Sequence, residues 1–177
     1  KTVLDAIDPE KDIDGLHFCN AGKLLNGEPA VIACTPRAVI RILDETGIDI
    51  MSKHTVVVGK SVLVGRPIAI CLLNRNATVS VCHTKTQNLG DITKNADILI
   101  VAAGSAGLIK ADMVKDGAVV IDIGQTNIDG KLYGDVDFEN VKEKCSFITP
   151  VPGGVGPMTI STLMKNTLKA CKIQNNL

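Results

Sequence analysis

The sequence predicts a doubly wound α/β fold with a mostly parallel sheet, and three observations carry that prediction. Apolar, largely β-branched runs recur at His54–Val58, Thr78–Cys82, Asp97–Ala103, Ala118–Ile123 and Ser146–Thr149. Segments of helical periodicity stand between them. The runs show little in–out alternation, as expected of strands buried on both faces of a sheet that helices cover from two sides. Right-handed crossovers then give a Rossmann-like layout, with a crevice outside the carboxyl ends of the strands.

Each element has a local reason. Residues 1 to 34 read as irregular, with turns at Asp8-Pro9 and Asp14-Gly15 between short apolar runs. The opening Lys1-Thr-Val-Leu-Asp-Ala-Ile7 lacks a methionine and reads as the inside of a helix, so the chain is expected to be a piece of something longer. Thr35-Pro36 predicts a helix N-cap with proline at the first helical position. Val39, Ile40, Ile42 and Leu43 supply its apolar face, and Gly47 stands where a C-cap belongs. A second helix is predicted over Val64–Arg75 from Ile68, Cys71 and Leu72, ending at Asn74 and Asn76. Leu89–Asn95 and Phe138–Cys145 predict short helices, Ala111–Lys115 a helical turn, and Met158–Ile173 a long final helix.

Composition excludes several classes of function. Lys+Arg and Asp+Glu both number 19, which gives no electrostatic footprint for a polyanion or an acidic membrane surface. With no Trp, one Tyr and three Phe, stacking platforms for single-stranded nucleic acid lack their side chains. Six scattered cysteines (Cys19, Cys34, Cys71, Cys82, Cys145, Cys171) form no Cys-x-x-Cys pair, so reduced thiols are expected and no metal site. No apolar stretch is long enough to span a membrane, and a reducing compartment, the cytoplasm or an organelle matrix, is expected. His17, His54 and His83 have no partner spacing, and Asp12-Ile13-Asp14-Gly15 lacks the later oxygen ligands of a calcium loop.

Two stretches carry chemistry. Thr55-Val-Val-Val-Gly-Lys-Ser-Val-Leu-Val-Gly-Arg-Pro67 reads as strand, phosphate-sized turn and helix. It is neither a triphosphate loop nor a Gly-x-Gly-x-x-Gly fingerprint, because Ser61 stands where the second glycine belongs. What remains is a turn aimed at a helix N-terminus, with Lys60 and Ser61 as donors; an ordinary strand–helix loop is the alternative. The next strand ends Val81-Cys82-His83-Thr84-Lys85, with no acid before Asp91 to hold ribose hydroxyls. Lys60, Thr84 and Lys85 could instead surround a 2′-phosphate, which favours NADP over NAD; a polar surface loop is the competing reading. Gly104 and Gly124-Gln125 follow two further strands and let backbone approach a flat ligand. The second stretch, Pro150-Val-Pro-Gly-Gly-Val-Gly-Pro-Met-Thr159, is a stiff, bare loop running into the last helix.

These residues resemble the methylenetetrahydrofolate dehydrogenase/cyclohydrolase family. The resemblance runs from Asp8-Pro-Glu-Lys-Asp-Ile-Asp-Gly15 through Cys34-Thr35-Pro36, Gly59-Lys60-Ser61 with Val64-Gly65, Cys82-His83-Thr84-Lys85-Thr86 and Gly134-Asp135-Val136 to the Pro-Gly-Gly-Val-Gly-Pro loop. It implies NADP-dependent oxidation of 5,10-methylenetetrahydrofolate to the methenyl form, then hydrolysis to 10-formyltetrahydrofolate. It further implies that Asp14 is a catalytic residue that holds the pterin, and that Pro152, Gly153 and Gly154 line the folate side. Thr35, Gly59, Lys60, Ser61, Gly65, Thr84, Gly104, Gly124, Gln125 and Thr159 would line the cofactor side, and two copies would pair through the sheet domain. Lys60 stands where the family usually has arginine, Thr84 where it has serine, and Gln125 where it has isoleucine.

The same resemblance divides the chain into residues 1–34, a remnant of an N-terminal catalytic α/β domain, residues 35–150, the NADP domain, and residues 151–177, a substrate loop and helix returning to the first part. The family's catalytic lysine lies in a Tyr-x-x-x-Lys motif. Tyr133, the single tyrosine, is followed four residues later by Asp137. This chain alone is therefore expected to bind dinucleotide weakly and to lack cyclohydrolase activity, with apolar faces uncovered. A non-catalytic dinucleotide-binding module is the alternative.

Overall fold

The computed structural model describes residues 2–28 and 31–175. Lys1, residues 29–30 and residues 176–177, all in the expected terminal segments, lie outside the described residues. The elements in chain order are α1 (Thr2–Asp5), α2 (Phe18–Leu25), α3 (Cys34–Glu45), β1 (His54–Val58), α4 (Gly65–Leu73), β2 (Thr78–Cys82), α5 (Leu89–Thr93) and β3 (Ile98–Val101). A 3-10 turn (Ala111–Met113) leads to β4 (Val119–Asp122), β5 (Thr126–Ile128), β6 (Lys131–Tyr133), α6 (Phe138–Val141), a second 3-10 turn (Lys142–Lys144), β7 (Phe147–Ile148) and α7 (Val155–Gln174).

The main sheet has the order β2-β1-β3-β4-β7 and every pairing in it is parallel. Its register is level: Cys82 pairs with Val58, Val58 with Val101, and Val101 with Asp122. The residues that follow those four therefore emerge along one rim. The chain order reverses between β1 and β3, the position at which open α/β sheets bind ligands.

Successive strand residues feed two cores. Val57, Ile98, Ile100 and Ile121 face α3, α4 and α7, where Val39, Leu43, Ile68 and Leu72 are buried with them. Val56, Leu99, Val101 and Val120 face the other side with Ile109, Val114 and Val141. Each such side chain taken fully from water contributes about 1.5–3 kcal/mol, so the sheet is a rigid platform. Leu24 of α2 belongs to the first core, which ties the N-terminal segment to the sheet domain.

Several boundaries differ from the sequence reading. The helix expected from Thr35 begins at Cys34 with Ala33 as N-cap, and no side chain caps it. Pro36 is tolerated because the first-turn N–H groups have no intrahelical partner. Residues 18–25, read as irregular, form α2; His17 caps it by accepting a bond from the Cys19 N–H at 3.1 Å. The helix expected over Phe138–Cys145 stops at Val141 and tightens into a 3-10 turn. The final helix starts at Val155, inside the proline–glycine stretch. The β5–β6 hairpin was not anticipated; its turn carries Asp129 and Gly130 at φ 50° and 81°.

Helix α7 lies along α3 and buries Thr162, Asn166 and Ala170. On another face Ile160, Met164 and Leu168 are 66%, 70% and 58% exposed, an apolar stripe at four-residue spacing.

Candidate active site at the carboxyl end of the sheet

The rim above Val58 is closed by sterics. Gly59 has φ 131°, donates its N–H to the Cys82 carbonyl at 2.8 Å, and leaves no room for a side chain: a Cβ would lie 2.3 Å from the Ala102 carbonyl oxygen. At Gly65 a Cβ would lie 1.9 Å from the Gly59 carbonyl oxygen. Helix α4 can therefore start directly on the exit of β1 only if both positions are glycine. The Ser61 hydroxyl accepts from the Val64 and Gly65 N–H groups at 3.1 and 3.4 Å. It braces the turn, a role the sequence reading had not assigned to it.

Beside this turn, the end of β2 makes a second tight corner. The Thr86 hydroxyl accepts from the His83 N–H at 2.9 Å and His83 Nδ1 accepts from the Lys85 N–H at 3.1 Å, which leaves Thr84 and Lys85 exposed at the tip. Lys60 is exposed too, and among the described residues neither lysine has an ion-pair partner. Seven other cations are paired, from Arg41–Glu45 to Lys144–Asp116. The charges of Lys60 and Lys85 are thus available at the rim. A bare glycine cradle flanked by a hydroxyl and two free ammonium groups fits a phosphate-bearing dinucleotide.

The other half of the rim is a cavity of about 530 Å³. It brings together Thr35, Gly124, Gln125, Pro152, Gly153, Gly154 and Thr159 from the predicted set, with Asp122 and Ile123 at its floor. The Val151–Pro152 peptide is cis, and Gly153 has φ 101°. Thr159 donates to the Val155 carbonyl at 3.1 Å and lies 3.4 Å from the Thr35 hydroxyl, so the start of α3 and the first turn of α7 share one corner. The Gln125 side chain reaches the loop: a Cβ on Gly156 would sit 3.0 Å from its amide nitrogen.

Asp14 does not line this cavity; nor do Gly59, Lys60, Ser61, Gly65, Thr84 and Gly104, which belong to the neighbouring strand ends. Asp14 is exposed on a turn held by the buried Asp12, which accepts from the N–H groups of Leu16 and His17 and from the Asn20 amide at 3.2, 2.9 and 2.8 Å. Asn166 of α7 donates to the carbonyls of Ile13 and Ile32 at 2.9 and 3.1 Å, stitching that turn to the start of α3. The Cys34 thiol donates to Asp14 at 3.6 Å; burial, and then the Asp14 charge, raise its pKa, so it is no nucleophile. Asp14 thus stands one residue from the cavity wall, through Cys34 to Thr35.

Sequence reasoning missed Asp122, and gave Asp135, quoted only within the Gly134-Asp135-Val136 motif, no role. Both are buried, at 3% and 0% exposure, and accept only backbone N–H donors. Burial drives the Asp122 carboxyl up to about 6, against the pull of its three N–H donors and with a smaller push from Asp135. A charged residue closing the apolar run Val119-Val-Ile-Asp122 was the available signal.

Residues 33–175 match the model of the tetrahydrofolate dehydrogenase/cyclohydrolase NAD(P)-binding domain. The chain belongs to that family. The bifunctional protein FolD of Bacillus pumilus is 54% identical over 173 residues, 97% of this chain and 61% of its own. The crystal structure of the Campylobacter jejuni FolD dehydrogenase/cyclohydrolase superposes with a TM-score of 0.97 at 49% identity, covering 99% of this chain and 62% of that one. The Trypanosoma brucei FolD structure, complexed with NADP cofactor and inhibitor, gives 0.94 at 41%, covering 99% and 63%. The chain thus spans about three fifths of the length of these family members. No helix among the described residues is long and apolar enough to cross a membrane.

Proposed function

We propose that this chain is the dinucleotide-binding and folate-facing part of a methylenetetrahydrofolate dehydrogenase/cyclohydrolase that uses NADP in preference to NAD. The observation that carries this is the union of the two half-sites on one rim: a side-chain-free cradle with unpaired Lys60 and Lys85, and a proline–glycine cavity beside it. Gly59 and Gly65 admit the cofactor's phosphates; Lys60, Thr84 and Lys85 hold its 2′-phosphate; Gln125 and Thr159 face its far end. When bound, NADP supplies the acceptor for the hydride.

The chain's own residues orient the substrate. Pro152, Gly153 and Gly154 give the folate a stiff, flat wall, and Asp14 holds the pterin by its polar edge. Oxidation at the methylene carbon needs chiefly placement, because the folate nitrogen lone pairs stabilise the cation left behind. Hydrolysis needs a general acid–base besides Asp14, so this chain alone lacks that activity. Residues 1–34 and 151–177 frame the folate side in the full-length enzyme, a reading supported by the exposed α7 stripe. Two copies pair through the sheet domain, whose edge strand β2 exposes Val81. The enzyme works in the cytoplasm.

A non-catalytic dinucleotide-binding module is the second reading. Titration with NADP and NAD, with and without a folate analogue, separates these readings. Preference for NADP that tightens when folate is present supports the enzyme; NADP binding indifferent to folate supports the module; no binding of NADP refutes both. Sedimentation of the chain tests the pairing.

A further inference from the structure

Three segments that wall the crevice are tied together by one run of buried hydrogen bonds. After β3, the N–H groups of Ala103, Gly104 and Ser105 converge on the Asp135 carboxyl at 2.6, 2.8 and 2.8 Å. The Asp135 and Val136 N–H groups in turn donate to Asp122 at 3.0 and 2.9 Å, and the Gly124 N–H does so at 2.9 Å. The Asp122 N–H donates to the Thr149 hydroxyl at 2.8 Å, and Thr149 is the residue before the Pro150 loop. All three side chains are at most 3% exposed, the seven N–H donors that reach them are main-chain, and the Thr149 hydroxyl in turn donates to the Asp122 carbonyl at 3.4 Å. The packing admits no slack: a Cβ on Gly134 would lie 2.0 Å from Asp122 Oδ2, and one on Gly124 would lie 2.4 Å from Asp135 Cγ.

Three consecutive N–H groups converging on one carboxyl form the concavity that loops elsewhere use to grip an anionic ligand. Here the protein's own Asp135 fills it. Gly104 therefore offers the crevice a bare surface and no free N–H, and phosphate recognition falls to the β1 and β2 corners.

We infer that Thr149, Asp122 and Asp135 are positioning residues: together they fix the distance between the loop after β3 and the proline–glycine loop, the two surfaces between which cofactor and folate meet. The inference rests on the proposed reading of the crevice, but its structural half is tested without ligand. In the 177-residue chain, Thr149→Val removes the hydroxyl at one end of the relay, and amide hydrogen exchange is followed at residues 103–105 at the other. Exchange there is expected to rise about tenfold, as for loss of one buried hydrogen bond, and Thr149→Ser is expected to restore it. Asp135→Asn is a second cut at the near end. Asp97→Asn is the control, because Asp97 holds the His54 N–H at the amino end of the sheet; it is expected to lower stability without changing exchange at 103–105. Changes confined to residues 149–152, or equal exchange in the valine and serine variants, would overturn the relay. NADP titration of the same proteins is the second readout. A relay that passes the exchange test in a chain that binds no NADP sinks the cofactor reading and leaves the coupling intact; wild-type binding that Thr149→Val leaves unchanged sinks the positioning role.

Discussion

The two halves of the crevice solve different problems with different materials. Around Gly59–Gly65 and His83–Thr86 the side chains that matter are exposed, and their charges are unspent. Around Asp122, Asp135 and Thr149 the polar groups are buried and fully engaged, and what faces the cavity is backbone, proline and glycine. The first half supplies affinity for a charged ligand and tolerates motion at its tips. The second supplies shape, and must not move. Substitutions should therefore separate: changes to the exposed side chains of the first half alter binding with little effect on stability, and changes at its glycine junction or at the second half alter both.

The largest expected effect tests the steric junction on which the first half is built. Gly65→Val puts carbon atoms where the Gly59 carbonyl sits, at 1.9 Å for the Cβ alone. The helix start must shift, which is expected to cost about 3 kcal/mol or more and to abolish dinucleotide binding; a thermal melt and a titration measure the two losses. If the melt is unchanged, the tight junction between β1 and α4 is wrong.

Next comes the buried half. The Asp122 carboxyl is held up to about 6 mainly by burial, so the folded state prefers its protonated form. Its contribution to stability is complete below about pH 4 and is lost as pH rises through about 6, a swing of about 3 kcal/mol. Relative to Asp122→Asn, the parent is therefore expected to lose stability between pH 4 and pH 7 in denaturant titrations. Asp97, which Lys115 and the His54 N–H hold below the usual carboxylate range, adds the opposite slope at lower pH; it is common to both proteins.

The exposed half gives smaller, cleaner numbers. Lys60→Ala is expected to weaken NADP about tenfold, the worth of one charge-assisted contact, with NAD affinity and melting temperature unchanged. Lys60→Arg should tighten NADP severalfold by adding a bidentate fork. Lys85→Ala is the smallest effect, a severalfold loss that fades as salt is raised. Equal losses for NAD and NADP would show that these lysines do not read the 2′-phosphate.

The exposed half was the more fully legible one. His54–Val58, the glycine turn and the acid-free end of β2 are contiguous in sequence, and their patterns have local causes. The strands of the sheet were legible because burial on two faces leaves a continuous apolar run. Of the second half, the proline–glycine loop and the glycines after the strands were legible, but the bracing was not, because Asp122 and Asp135 are 13 residues apart and bond to backbone, so neither points to the other in sequence. The same applies to Asn166, whose amide reaches Ile13 across 153 residues. The β5–β6 hairpin is different: Asp129-Gly130 is a strong turn signal between short polar strands, overlooked because neither strand is buried. Thr35, expected as an N-cap, sits instead inside the first turn of α3, where it meets Thr159.

The unspent charge at the rim has a kinetic meaning. The chain has no net charge, so as a whole it does not attract anions from a distance, and any steering depends on where its charges lie. Lys60 and Lys85, exposed and without an ion-pair partner among the described residues, place positive charge at the crevice mouth of a neutral body. A polyanionic ligand then arrives faster than it would by unguided collision, and added salt slows its arrival. Its departure is governed by the glycine cradle and the walls, which salt leaves unchanged.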